Sequence, residues 1–190
     1  NNEKVKQGAV SVIRKAQETG AISKKKGDEI IKEFEEFQAA AKQTDPNLSE
    51  DKQEEITNLI YEKKNLESKI KDLDPNQKFV VDSKNRIQEI NDEISNISEA
   101  EDVTVDVEFA EKEADIAKKI IDVRLDNTVK FAESQGEKLG KKVYIVESDG
   151  TKTSDQKAQE IYDEFVKENP GTKQMDVSGA DGFYIGDRIV

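Results

Sequence analysis

The sequence predicts a mainly α-helical protein: helical hairpins, one of them an antiparallel coiled coil, followed by a small α/β module. Three observations carry that reading. Charged residues make up 38% of the 190 positions against 34% apolar and 6% aromatic, which supplies narrow seams between helices better than one broad core. Apolar residues recur at helical spacing through residue 141. From residue 142 the texture changes to short apolar runs separated by glycine-rich turns, the pattern of strands. Four regions follow: a helical hairpin over 1–44, a coiled-coil hairpin over 45–102, a long helix or helix pair over 103–141, and the α/β module over 142–190.

Val5, Ala9, Val12, Ile13 and Ala16 share one face of a helix that Gly20 stops. After a lysine-glycine turn, Ile30, Ile31, Phe34, Phe37, Ala40 and Ala41 repeat such a face, and "TDPN" at Thr44 to Asn47 ends it. The two segments are expected to pack as a hairpin, with the phenylalanines buried against the neighbouring helix.

Ser49 is a helix cap with Glu50 and Asp51 in the first turn. A heptad then places Ile56, Lys63 and Ile70 at a and Leu59, Leu66 and Leu73 at d. "LDPNQ" breaks the helix, and a second arm places Val80, Ile87 and Ile94 at a and Ser83, Ile90 and Ile97 at d. Two such arms around a tight turn fold back as an antiparallel hairpin, each arm about 37 Å long at about 1.5 Å per residue. Lys63 and Ser83 are its polar seam positions; a lysine stem reaches water easily, so tolerance is preferred to register-setting there.

Val103, Val105 and Val107 alternate, a short extended lead-in. Phe109, Ala110, Ala114, Ala117, Ile120 and Ile121 then take up helical spacing, which runs on through Leu125, Val129 and Ala132 to a stop at 136–141, either straight or with a kink near Asp126 and Asn127. "KVYIVES" is apolar on both faces, as in a strand inside a sheet. "SDGTKT" turns, and Thr153 with Gln156 forms a capping box for a helix carrying Ala158, Ile161, Tyr162, Phe165 and Val166. "KQMDV" and "FYIGDRIV" are expected to return as strands, giving a βαβ unit plus a strand. In the last strand Phe183, Ile185 and Ile189 fall on one face and Tyr184 and Val190 on the other, with Arg188 guarding an exposed edge. Few strands make a poor independent sheet, so the module is expected to be incomplete and to self-associate through that edge.

The chain has neither cysteine nor histidine, which excludes disulfides, histidine or cysteine metal ligands and histidine-based acid, base or nucleophile systems. The net charge of -12 is concentrated in 45–102, where 8 basic residues face 16 acidic ones, so neither nucleic acid nor a membrane surface is an expected partner. Lys24 to Lys26 form the one basic spot, placed at the end of the first helix and read as solvated rather than phosphate-binding. A calcium loop starting at Asp149 would need glycine where Ser154 stands. Asp176 and Asp181 lie among turn glycines without ligand spacing, no acidic pair singles itself out for glycosidic chemistry, and Gly179, Gly182 and Gly186 do not make a nucleotide loop. No catalytic constellation, metal site or cofactor is therefore expected. No run approaches the roughly 18 apolar residues of a membrane span, and a soluble chain is expected.

"KVYIVES", a helix, and then "GADGFYIGDRIV" resemble the strands that precede the active-site helix in zincin-type metallopeptidase domains, including those embedded in large virion proteins of tailed bacteriophages. The resemblance spans the last 50 or so residues, about a quarter of the chain, and rests on element order. It implies an HExxH helix beyond Val190 and carries over no catalytic residue. With the first residues "NNEKVK" and the final apolar strand, it leads to the expectation of a segment of a larger multidomain protein: a structural or interaction segment, in a virion if the resemblance holds. Its partner would be another protein or the remainder of its own polypeptide. The alternatives are the N-terminal or pro-region of a zinc metallopeptidase and a free-standing coiled-coil adaptor.

Overall fold

The computed structural model describes residues 2–43, 45–149 and 151–190, without the side chains of Asn2 and Glu3. Thr44, in the expected helix stop, and Gly150, in the expected turn, lie outside the described residues. The described residues form α1 (Asn2–Thr19), α2 (Lys24–Ala41), α3 (Glu50–Ile70), α4 (Lys78–Ser98), α5 (Val107–Leu139), β1 (Lys142–Val143), α6 (Ser154–Glu168), β2 (Tyr184–Ile185) and β3 (Arg188–Ile189). The chain is mainly helical, with a small mixed sheet near the C-terminus. It divides into two compact units, one of residues 1–68 and 82–127, the other of 69–81 and 128–190.

In the first unit α1 and α2 form the expected hairpin. The chain turns at Gly20, whose positive φ of 76° suits a helix end, and α2 starts where the Ser23 hydroxyl accepts the Lys26 N–H. Lys24 to Lys26 therefore occupy the first turn of α2 rather than the end of α1. This corrects the sequence reading: the serine cap sets the boundary although cations are disfavoured at a helix N-terminus. Gly27 is not a turn residue either. It lies buried inside α2, and a Cβ there would come within 2.2 Å of Gln17 Nε2, whose amide donates to the Lys24 carbonyl at 2.7 Å. Ile13, Ala16, Ile22, Ile30 and Ile31 close a core with Val123 of α5, and Ala9 and Phe34 close a second with Ile116.

Helices α3 and α4 run antiparallel. Ile56 and Ile60 pack near Ile97 and Ile94, Lys63 Nζ donates to Asn91 Oδ1 at 2.9 Å, and Arg86 binds both carboxylate oxygens of Glu62 at 2.7 and 3.1 Å. At that end the seam is not two-stranded. Ile56 and Ile60 are buried with Ala110 and Ala114, which are fully covered, because alanines one turn apart let a helix approach closely. Helix α5 is thus shared: Ala110 and Ala114 face α3, whereas Ile116 and Val123 face the α1–α2 hairpin. It is one uninterrupted helix through Asp126 and Asn127.

In the second unit β1 pairs with β3 in parallel and β2 with β3 antiparallel, in the order β1-β3-β2. Helix α6 lies between β1 and β3 in the chain, as a βαβ crossover requires, and Thr153 with Gln156 makes the expected capping box. Three readings are corrected. "FYIGDRIV" is a hairpin: Gly186, at φ 55°, takes the first position of a two-residue turn and folds β2 back on β3. "KQMDV" is not a strand, because α6 takes its backbone groups: Tyr162 OH donates to the Lys173 carbonyl, while the Gln159 amide binds the Met175 carbonyl and the Val177 N–H. "KVYIVES" contributes only two paired residues on one edge, and Ile145 is exposed rather than buried.

Candidate protein-docking groove

A groove of about 480 Å³ opens between the C-terminal half of α2 and the N-terminal half of α5. The two helices run antiparallel here: Ile31 shares a core with Val123, Phe34 with Ile116, and further along Phe37 meets Phe109. The rings of Phe37 and Phe109 stack at 4.7 Å between centroids and 25° between planes. Both side chains are half-buried, so the stack forms a floor still reached by solvent, flanked by Ala40 and Ile116.

Local structure places Phe109. Its N–H donates to Asp106 Oδ1 at 3.0 Å, an aspartate cap one residue before α5, and Gln53 of α3 binds the Asp106 carbonyl and N–H at 2.7 and 2.8 Å. The start of α5 is thereby tied to α3. Ser49, expected as the cap of α3, also donates its backbone N–H to the Thr104 carbonyl, which fastens the extended lead-in.

Carboxylates dominate the rim. Glu33, Glu36, Asp106, Glu108 and Asp115 line the groove, with Lys112 the one basic residue among its lining. Glu33 is held by Lys119 at 2.7 Å and Asp115 by Lys64. Glu36 and Glu108 are looser: each pairs with a lysine on its own helix, at 3.9 Å (Lys32) and 3.3 Å (Lys112), and their side chains are 69% and 80% exposed. Ion pairs this exposed are worth about 0–1 kcal/mol and exchange readily for another cation.

The seam residues are placed as follows. Ile56, Leu59, Leu73, Val80, Ser83 and Ile90 are buried, while Lys63, Leu66, Ile70, Ile87, Ile94 and Ile97 are half-buried. Of the residues expected on an exposed edge, Tyr184 is exposed, Ile185 and Ile189 are buried, and Phe183 and Val190 exchange backbone hydrogen bonds at 2.9 and 3.0 Å. Arg188 does not guard an edge. It lies on the central strand over the rings of Phe165 and Tyr144, 5.5 and 5.8 Å from their centroids, with Glu168 at 3.0 Å.

Two carboxylates are shifted in opposite directions. Hydrogen bonds from Lys157, then from the N–H groups of Thr151 and Lys152, hold Asp149 well below the usual carboxylate range. The Asp149 loop is thus a tied turn ahead of α6. Burial pushes the Glu113 carboxyl up, partly offset by the Thr57 hydroxyl at 3.3 Å, and Glu54 adds repulsion. Because Glu113 binds its proton more tightly folded than unfolded, its ionisation costs stability at neutral pH, and that cost fades as pH falls through the folded pKa. Glu113→Gln should raise the thermal midpoint by roughly 1–3 °C at neutral pH, and the gain should vanish near about pH 4; an unchanged or lower midpoint at neutral pH would show that the charge is well solvated.

In the sequence Phe37 falls in a stripe expected to be buried and Phe109 at the start of another helix. Periodicity marked both as apolar, but their meeting depends on the pairing of α2 with α5, for which no local signal exists. Among the described residues no cluster of acidic side chains is arranged to hold a metal ion, and no helix is long and apolar enough to cross a membrane. In comparisons with known proteins, no family model, no curated protein and no solved structure matches the chain.

Proposed function

We propose that this chain is a non-catalytic interaction segment that works by presenting a docking groove on a helical framework. The observation that carries the reading is the solvent-reached Phe37–Phe109 stack between α2 and α5. Aromatic pairs in a folded core are normally covered, and a half-open one offers a partner large apolar contact at little entropic cost. Because α5 packs against both hairpins, the groove walls are braced from behind by Phe34 and Ala110. In its narrower form the reading makes the chain a structural segment of a virion protein, resting on the resemblance of residues 142–190 alone.

Selection of a random peptide library on the immobilised chain tests the proposal, with Phe109→Ser as counter-target. Peptides that bind the native chain and lose that binding on Phe109→Ser, while circular dichroism shows the helices intact, support it. Enrichment that is equal on both proteins overturns it.

A further inference from the structure

We infer that the α2–α5 groove takes a cationic amphipathic helix, a partner segment that sets large apolar side chains on the Phe37–Phe109 floor and lays Lys or Arg along Glu36 and Glu108. The inference rests on the docking reading above and adds the chemistry of the partner. Two antiparallel helices with an apolar channel between them present the surface that a third amphipathic helix completes, with anchors at helical spacing. Charge then selects the helix. Five carboxylates and one ammonium line the groove. Glu33 and Asp115 are already committed to lysines from α5 and α3, whereas Glu36 and Glu108 stand exposed on opposite walls with loose partners on their own helices.

An incoming cation on either wall would replace a weak intrahelical pair by one closed off from water over an aromatic floor. There the interaction is stronger, and the rings themselves attract cations. The chain's net charge of -12 speeds such an encounter and opposes an anionic segment. It also opposes a second copy of this chain, whose surface carries the same sign.

The test uses the full chain and three probes: a leucine–lysine amphipathic peptide, its leucine–glutamate counterpart and the linear polyamine spermine. Each is titrated by calorimetry at moderate salt against the native chain, the Glu36→Lys/Glu108→Lys variant and a control with the same change in charge, Glu99→Lys/Glu101→Lys. The expected result is that the lysine peptide binds at least roughly tenfold tighter than the glutamate peptide, and that reversal at Glu36 and Glu108 weakens it about tenfold or more while the control changes it by less than about threefold. Both variants alter exposed side chains, and matched melting curves exclude misfolding.

Equal loss in the control would mean that the peptide senses only net charge, and would overturn the inference. Spermine binding as tightly as the peptide would also overturn it, since the floor would then contribute nothing. If library peptides dependent on Phe109 prove neutral or acidic and the lysine peptide fails to bind, the charge assignment falls and the docking groove stands. If neither binds, both fall.

Discussion

Ile56→Ala should destabilise the first unit by about 2–5 kcal/mol, among the larger effects expected of a single truncation. Ile56 is fully buried, and its neighbours Ala110 and Ala114 are fully buried too. On the α5 side the alanines have no side chain that could swing into the vacated space, and α3 is pinned beside them by Gln53 on Asp106 and by Thr57 on Glu113, which leaves Ile60, Ile94 and Ile97 to shift towards it. The cavity therefore has little means of collapse. Leu125→Ala on α5 is the control: Leu125 is 53% exposed, and its truncation should fall within about 0.5 kcal/mol of the native chain. Chemical denaturation followed by circular dichroism measures both. A loss below about 1 kcal/mol for Ile56→Ala would mean that α5 does not press on α3 as described.

Gly186→Ala should loosen the C-terminal sheet by about 2 kcal/mol or more, through two separate causes. The residue sits at φ 55°, where an L side chain meets the following carbonyl. A Cβ there would also lie 2.3 Å from Cε2 and Cζ of Phe165, on the aromatic ring that Arg188 covers. Moving that ring disturbs the arginine, which also contacts Glu168 and Tyr144. Gly179→Ala separates the causes: Gly179 has a similar φ of 78° but nothing within 4 Å of a built Cβ, so it should show the backbone cost alone. Hydrogen exchange at Ile189, whose amide lies on the central strand, reads the difference. Equal protection in the two variants would remove Phe165 from the explanation.

Where structure follows from local chemistry, the sequence discloses it. The α1 face from Ala9 to Ala16, the break at "LDPNQ", the antiparallel course of α3 and α4 and the capping box at Thr153 depend on spacing, turn residues and caps within a few positions of one another. Val5, expected on the α1 face, is 63% exposed, and the choice between one helix and a kinked or paired one at Asp126 and Asn127 is open in the sequence. The misread elements needed partners from elsewhere. Lys24 to Lys26 suit a helix C-terminus by charge, but the Ser23 cap starts α2 at Lys24. "KQMDV" has strand-like alternation, yet Gln159 and Tyr162 of α6 bind its backbone first. Gly186 was visible as a glycine, but an apolar stretch on both sides hid the turn. The candidate site was legible only as two separate apolar positions. Stacking of Phe37 on Phe109 depends on how α5 divides its faces between two hairpins, which is a property of packing.

The most direct measurement uses fluorine NMR on the chain labelled with fluorophenylalanine at its 7 phenylalanines, titrated with the tightest peptide from the library selection. If the groove is the docking site, the Phe37 and Phe109 resonances shift together and saturate with the binding isotherm, Phe34 behind them moves less, and Phe165 and Phe183 stay still. Shifts confined to Phe165 and Phe183, or to Phe131 on the exposed side of α5, with Phe37 and Phe109 unmoved at saturation, would place binding elsewhere and contradict the proposed function.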